Sequence, residues 1–149
     1  MISIRRTDAS DHDFKDLVTL LDAELNVIDG NDHSFYAQYN KIDMIRHAVV
    51  CYENDMHVGC GAFKPFEDDT VEIKRMFVKP RVRGQGIGRM ILNELEKWAA
   101  ELNYKHCVLE TGKRQPDAIR LYENAGYGRI SNFGQYKGVD NSICMKKGI

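Results

Sequence analysis

The sequence lacks the features that would place it outside the ordinary globular proteins. Neither sign of charge is in excess, because 21 lysines and arginines face 22 aspartates and glutamates, which argues against a chain built for nucleic acid or membrane surfaces. Neither an apolar run long enough to span a bilayer nor an apolar leader segment is present. We therefore expect one domain over residues 1–149, in the cytoplasm, with no nucleic-acid and no membrane partner.

Cysteine is also scarce, and its spacing argues against a metal or redox role. The chain has 4 cysteines, and no two of them form the C-x-x-C spacing of zinc and redox sites. Each stands in an apolar segment, which predicts reduced and buried thiols. The 5 histidines have no metal-ligand spacing either, so we expect no metal. The four cysteines are Cys51, Cys60, Cys107 and Cys144.

Alternating and helically spaced apolar residues predict a mixed α/β domain. After a first strand, ISIRR, apolar residues from Phe14 to Leu25 predict a helix behind a capping box of Ser10 and Asp13, and Asp29 and Gly30 end that helix. A second short helix is expected within residues 31–46. The later elements are two strands, HAVVCYE and HVGCGAFK, a long strand TVEIKRMFV, a helix from Ile87 to Leu102, a strand HCVLET, a helix from Asp117 to Ala125 and a final strand NSICMKK.

The stretch KPRVRGQGIGRMI, residues 79–91, joins a predicted strand to a predicted helix through a glycine-rich, basic turn. This order directs backbone N–H groups and the positive end of a helix at one spot, which favours a phosphate. Gly88 is followed by Arg89 and not by Lys-Ser/Thr, which excludes a Walker A loop, and G-x-G-x-G in mid-chain is a poor dinucleotide fingerprint. The alternative is a plain turn with a solvated basic face.

The motif R-x-x-G-x-G from Arg83 to Gly88, after the strand VEIKRMFV and the dipeptide KP, resembles motif A of the GNAT superfamily of acetyl-CoA-dependent N-acetyltransferases. The segment VLETGKRQPDAIRLYENAGY, residues 108–127, resembles the next strand and helix of that superfamily, including its A-x-x-L-Y-x-x-x-G-[FY] ending. The resemblance implies an α/β (α+β mixed) fold, in which helices flank a twisted mixed sheet with splayed central strands. It also implies an acyltransferase with acetyl-CoA as cosubstrate.

The resemblance assigns residues to that cosubstrate. Backbone amides of the glycine-rich loop would hold the pyrophosphate, and main-chain groups of the long strand would pair with the pantetheine arm like an added strand. Such amides would also polarise the thioester carbonyl. Gln115, just before the last helix, would position CoA, and a plain loop amide is the equal alternative. The implied loop residues are Arg83, Gly84, Gln85, Gly86, Ile87, Gly88 and Arg89, and the strand residues are Met76, Phe77 and Val78.

Two residues are implied as catalytic. Tyr122 matches the superfamily's tyrosine near the CoA sulfur, where a phenol protonates the leaving thiolate; the alternative is a core aromatic of an amphipathic helix. Glu72 stands at the offset before the glycine-rich motif where the histone-acetyltransferase branch carries its general base. Strand alternation places Glu72, Met76 and Val78 on one face unless a bulge intervenes. The alternative for Glu72 is a solvated partner of Lys74.

The acceptor is the part that the sequence leaves open. We expect an amine of a small molecule or a protein, and the resemblance makes a homodimer possible. Two other functions stay open: a catalytically degenerate acyl-CoA-binding regulatory module, and a small interaction domain whose basic loop contacts nucleic acid, which the near-neutral charge disfavours. Candidates for the acceptor pocket are Phe35, Tyr36, Tyr39, Gln135 and Tyr136.

Overall fold

The protein is built on one seven-stranded sheet with the strand order β1-β2-β3-β4-β5-β7-β6. The computed structural model describes residues 1–37, 42 and 44–149. Neighbouring strands are antiparallel except β4 and β5, which are parallel. The strands are β1 (Ile2–Thr7), β2 (His47–Glu53), β3 (Met56–Glu67), β4 (Thr70–Val78), β5 (His106–Gly112), β6 (Gly128–Ile130) and β7 (Ser142–Gly148), and the α-helices are α1 (His12–Asp29), α2 (His33–Ala37), α3 (Ile87–Glu101) and α4 (Pro116–Asn124).

Helices cover both faces of this sheet, so that it separates two apolar cores. On one face, α3 and α4 bury a core that includes Phe63, Ile91 and Leu95. On the other face, α1 buries a core that includes Phe14 and Phe77. The four cysteines are free and buried, as predicted. None of the helices described is long and apolar enough to cross a membrane.

The mixed α/β fold class is confirmed, and most predicted elements are present. The long strand runs from Thr70 to Val78, as expected from its unbroken apolar and β-branched pattern. The predicted capping box of α1 is wrong, because Asp11 is the residue whose side chain accepts a hydrogen bond from the backbone N–H of Phe14, at 3.0 Å. Ser10 instead donates to Asp8 within the preceding turn. Strand β6 was not predicted.

A β-bulge in β4 changes which residues share a face. Cys60 pairs with Phe77 and Ala62 with Lys74, so that one residue of β3 lies opposite two residues of β4. One of those two, Arg75, has a φ of 59°, in the left-handed region. Before the bulge Glu72 and Lys74 face α1, whereas after it Met76 and Val78 pack on the α3 side. The prediction that Glu72, Met76 and Val78 share a face is therefore wrong.

Candidate active site

A cleft opens where β4 and β5 separate in the middle of the sheet. The two strands pair only over Thr70–Glu72 and His106–Val108. Beyond this point they diverge around a cleft of about 740 Å³ of empty space, open to solvent and lined by both strands and by α1 and α4. In the described sheet, the β5-facing backbone groups of residues 73–78 have no strand partner. Such an exposed edge fits an extended chain of amide groups, like the predicted pantetheine arm.

The glycine-rich loop lies beside this cleft and presents a row of backbone donors. Gly84 and Gly86 have φ values of 81° and 84°, which favour glycine, and open space lies where a Cβ atom would project. Within the described chain, the amide N–H groups of residues 84–89 donate to no backbone or side-chain acceptor. The last three belong to the first turn of α3, where the helix dipole adds positive potential. The loop therefore fits a pyrophosphate without side-chain obstruction.

The two loop arginines have other partners. Arg83 donates through Nε to the carbonyl oxygen of Val78 at 2.7 Å and forms a two-point ion pair with Glu24 of α1. Arg89 donates to the side chain of Asn93 at 3.2 Å and to the carbonyl oxygen of Asn124. These contacts fasten the loop to α1 and to the end of α4. Both guanidinium groups therefore have protein partners, whereas the backbone amides of residues 84–89 have none in the described chain.

Tyr122 of α4 and Gln115, the residue before this helix, both line the cleft. Pro116 begins this helix at a position where its missing N–H costs nothing. The Tyr122 side chain is buried, and its hydroxyl has no hydrogen-bond partner among the residues described. Burial, and then the negative charge of Glu110, raise the pKa of the Tyr122 phenol above its usual range. The phenol therefore keeps its proton at neutral pH.

Glu72 lies in the cleft between two lysines. Its carboxylate oxygens are 3.8 Å from Nζ of Lys64 and 3.7 Å from Nζ of Lys74, and its side chain is buried. Burial lowers the pKa of the Lys74 ammonium, and the charge of Glu72 opposes that shift. The predicted interaction between Glu72 and Lys74 is thus present, but it is a buried contact and not a solvated one.

Glu110 of β5 is a second carboxylate in the cleft, and sequence analysis missed it. Its Oε2 atom is buried and accepts no hydrogen bond in the described chain. Burial raises the pKa of this carboxyl to about 7, against the lowering effects of a hydrogen bond from Ser142 and the charge of Lys74. The sequence feature that could have identified Glu110 is an acidic residue inside the buried strand HCVLET. Strand alternation places its side chain on the face of the sheet opposite to Leu109.

Aromatic side chains form one wall of the cleft. The rings of Tyr36 and Tyr136 stack with centroids 6.4 Å apart, and both residues line the cleft. Phe35 packs edge-on against Tyr36 behind this wall. The Tyr36 hydroxyl lies 2.9 Å from Oγ of Ser142. Gln135 is not among the residues that line the cleft, and Tyr39 lies outside the described residues.

The sequence analysis led us to expect no metal. No group of three or more His, Cys, Asp or Glu residues within the described ranges is arranged to hold a metal ion. The side chains that line the cleft include three phenols, three carboxyl groups and the buried ammonium group of Lys74.

Comparison with known proteins agrees with this geometry. Residues 14–127 match the model of the acetyltransferase (GNAT) family. An IAA acetyltransferase of Azospirillum brasilense is 40% identical over 100 residues, which cover 66% of this chain and 65% of that protein. The uncharacterized N-acetyltransferase YjgM of Escherichia coli is 33% identical over 114 residues, or 73% of this chain and 66% of that protein. These matches span just under two thirds of each relative.

Solved structures extend the similarity to the whole chain. A protein of Klebsiella pneumoniae assigned to the acyl-CoA N-acyltransferases aligns with a TM-score of 0.83 and 28% identity, over 99% of this chain and 97% of that one. A GNAT family acetyltransferase of Elizabethkingia anophelis with acetyl-CoA bound has a TM-score of 0.71 and 22% identity, over 99% and 98% of the two chains, and so shows the same fold. This chain belongs to the acetyltransferase (GNAT) family.

Proposed function

We propose that this protein transfers the acetyl group of acetyl-CoA to a primary amine by direct attack of the amine on the thioester. One observation carries the proposal: a buried phenol, Tyr122, and a carboxyl group with an unpartnered oxygen, Glu110, line the same cleft where β4 and β5 separate. An acid and a base at one opening are what amine acylation needs, because the amine must lose a proton and the sulfur must gain one.

The chain supplies a place for each part of acetyl-CoA. Loop amides from Gly84 to Arg89 would hold the pyrophosphate, and the open edge of β4 would receive the pantetheine arm. Gly88 lies against Leu121 of α4, so that the loop and the Tyr122 helix are in contact. Acetyl-CoA supplies an activated acyl group, and Met76, Phe77, Val78 and Gln115 would orient it.

Two side chains, Glu110 and Tyr122, exchange protons with the reactants. Glu110 takes one proton from the acceptor ammonium and frees the nitrogen lone pair. The carbon–nitrogen bond forms at the acetyl carbonyl, the carbon–sulfur bond breaks, and its electron pair leaves on sulfur. Tyr122 gives its hydroxyl proton to that sulfur, and the phenolate then takes the second proton of the nitrogen. Glu110 returns its proton to solvent, so that each turnover releases one proton.

Two carboxylates compete for the role of general base, and their surroundings favour Glu110. Glu72, the base that the sequence suggested, already has two lysines within 4 Å, so that its carboxylate oxygens are engaged in ion pairs. Glu110 has no ion-pair partner within the described chain, and its raised pKa brings it near the value that suits proton transfer at neutral pH. We therefore assign Glu72 to holding Lys74.

The proposal is tested with a panel of amines and acetyl-CoA. Release of free thiol, together with the acetylated amine by mass spectrometry, is the expected result for at least one acceptor. Tight binding of acetyl-CoA with no thiol release for any amine would instead identify the degenerate acyl-CoA-binding module. Binding of nucleic acid without binding of acetyl-CoA would exclude both.

Replacing Tyr122 by Phe is expected to lower kcat by about tenfold to a thousandfold while the affinity for acetyl-CoA stays the same. The variant keeps the ring, which packs against Tyr127 with centroids 6.0 Å apart, and removes the proton donor. Rapid-mixing measurement of thiol release, with calorimetry for acetyl-CoA, checks this. Tyr127→Phe is the matched control, because that hydroxyl donates to Glu96 outside the cleft. An unchanged chemical step in Tyr122→Phe would leave Tyr122 as a packing residue.

A further inference from the structure

Asp29, at the end of α1, is a buried acid whose side chain has no partner among the described residues. The residue is only 5% exposed and lines the cleft. In the part of the chain that is described, its carboxylate has neither a hydrogen-bond donor nor an ion-pair partner. The nearby cation, Arg114, donates instead to the backbone carbonyl oxygen of Asp29 and to the side chain of Asp32.

The position of Asp29 makes this arrangement costly for the fold. It is the last residue of an 18-residue helix, where the dipole repels a negative charge. Burial raises the pKa of its carboxyl, as does Asp32, while the charges of His33 and Arg114 oppose that shift. A buried acid at the C-terminal end of a helix, whose side chain has no hydrogen bond or ion pair among the described residues, is more typical of a binding site than of a structural contact.

The other charged groups of the cleft are already matched. Lys74 lies beside Glu72, and Arg75 forms an ion pair with Asp22 of α1. Of the three acids that line the cleft, Asp29 and Glu110 are therefore the two without an ion-pair partner among the described residues. They lie near enough for the charge of Asp29 to act on Glu110, and the buried Tyr36 feels the charge of both.

If Glu110 accepts the proton of the reacting amine, Asp29 needs a second cation. Accordingly, we propose that the acceptor carries two cationic nitrogens, one acetylated beside Glu110 and one bound by Asp29 against the ring wall of Tyr36 and Tyr136. Electron-rich ring faces favour an ammonium group in the same place. The acceptor class is thus a linear diamine or a longer polyamine. This inference rests on the proposed acetyl transfer for the role of Glu110.

Binding and turnover are measured with linear α,ω-diamines, each compared with the monoamine in which a methyl group replaces one ammonium and the ω-amino acid in which a carboxylate replaces it. The diamine is expected to bind at least about tenfold more tightly than its monoamine, as for a desolvated charge pair. Calorimetry in the presence of CoA reads the affinity, and thiol release reads kcat/KM. Equal affinity for diamine and monoamine, or preference for the amino acid, would overturn the proposal.

The matched variant is Asp29→Asn. It is expected to abolish the preference for the diamine while leaving the affinity for the monoamine unchanged. It should also raise the Tm of the ligand-free protein by about 2–4 °C near neutral pH, because it removes an unpaired buried charge. A lower Tm, or an equal loss of affinity for both amines, would show that Asp29 is structural and would refute the proposal.

The two proposals fail in different ways. If diamines bind through Asp29 but no amine causes thiol release, acetyl transfer is wrong and the dication site stands. If monoamines are acetylated as well as diamines and Asp29→Asn changes neither reaction, acetyl transfer stands and the dication site is wrong.

Discussion

Replacing Glu110 by Gln is expected to lower kcat/KM at neutral pH by about a hundredfold to ten-thousandfold, the range for loss of a positioned general base. The amide keeps the shape and the hydrogen bond with Ser142 but cannot take a proton from an ammonium group. Affinity for acetyl-CoA should be unchanged, because the loop amides proposed to hold the pyrophosphate are on another element. Steady-state thiol release on one identified amine measures the effect.

Glu72→Gln is the control for this prediction. Both changes neutralise a carboxylate in the same cleft, but Glu72 has lysine partners at 3.7 and 3.8 Å and Glu110 has none within the described chain. Glu72→Gln is therefore expected to lower kcat/KM by less than about tenfold, because it displaces only Lys74. A larger loss for Glu72→Gln than for Glu110→Gln would make Glu72 the base and contradict the assignment.

The Glu110→Gln variant should also differ from the wild type in two pH dependences. Because the base must be ionised, kcat/KM of the wild type should rise with pH through about 7, the value to which burial raises the pKa of Glu110, and Glu110→Gln should lack this limb. The pKa of Glu110 is higher in the folded state than in the unfolded state. The folded state therefore becomes less stable as the pH rises from the pKa of an unfolded glutamate to about 7. Glu110→Gln should therefore unfold at a higher Tm than the wild type above pH 7, with little difference at acidic pH.

Replacing Gly86 by Val is expected to abolish most of the stabilisation that acetyl-CoA gives. At about a hundred times its Kd, acetyl-CoA should raise the Tm of the wild type by roughly 5–10 °C. Gly86 has a φ of 84° and open space at its Cβ position, so a β-branched side chain would both strain the loop and fill the space for the phosphates. Thermal melts with and without acetyl-CoA measure this loss.

Gly138→Val separates the loss of binding from backbone strain. Gly138 has a similar φ of 76°, and a Cβ atom there would also meet nothing within 4 Å. It lies between β6 and β7, away from the phosphate loop. Both variants should have a lower Tm without ligand, but only Gly86→Val should lose the shift caused by acetyl-CoA. An equal shift in both would show that the phosphates bind elsewhere.

Local patterns predicted most elements because their physical causes are local. The β4 sequence TVEIKRMFV is β-branched and apolar, and α4 begins at Pro116 and ends before Gly126. The cap of α1 was misassigned because Ser10 and Asp11 are both good caps, and only the turn made by Asp8 selects between them.

The acids of the proposed site depend on contacts that no local pattern encodes. The bulge at Arg75 forms where Gly61 of β3 lies opposite it, and this bulge separates Glu72 from Met76 and Val78 across the sheet. In the sequence, Glu110 is only one polar residue in a buried strand. Its place in the cleft follows from the separation of β4 and β5 beside it, which the sequence does not show. Asp29 reads as a helix end until its burial in the cleft is known. The glycine-rich loop was recognisable because its function needs backbone conformation and not distant partners.

The most direct test of acetyl transfer in this cleft is a single turnover with excess enzyme, acetyl-CoA and the best amine of the panel. The wild type is predicted to release free thiol and acetylated amine in equal amounts. The double variant Glu110→Gln, Tyr122→Phe should bind acetyl-CoA normally and release thiol no faster than about the slower single variant, because the two groups act in one step. Equal rates for the double variant and the wild type, or no acetylated amine from a wild type that binds acetyl-CoA, would contradict the proposed active site.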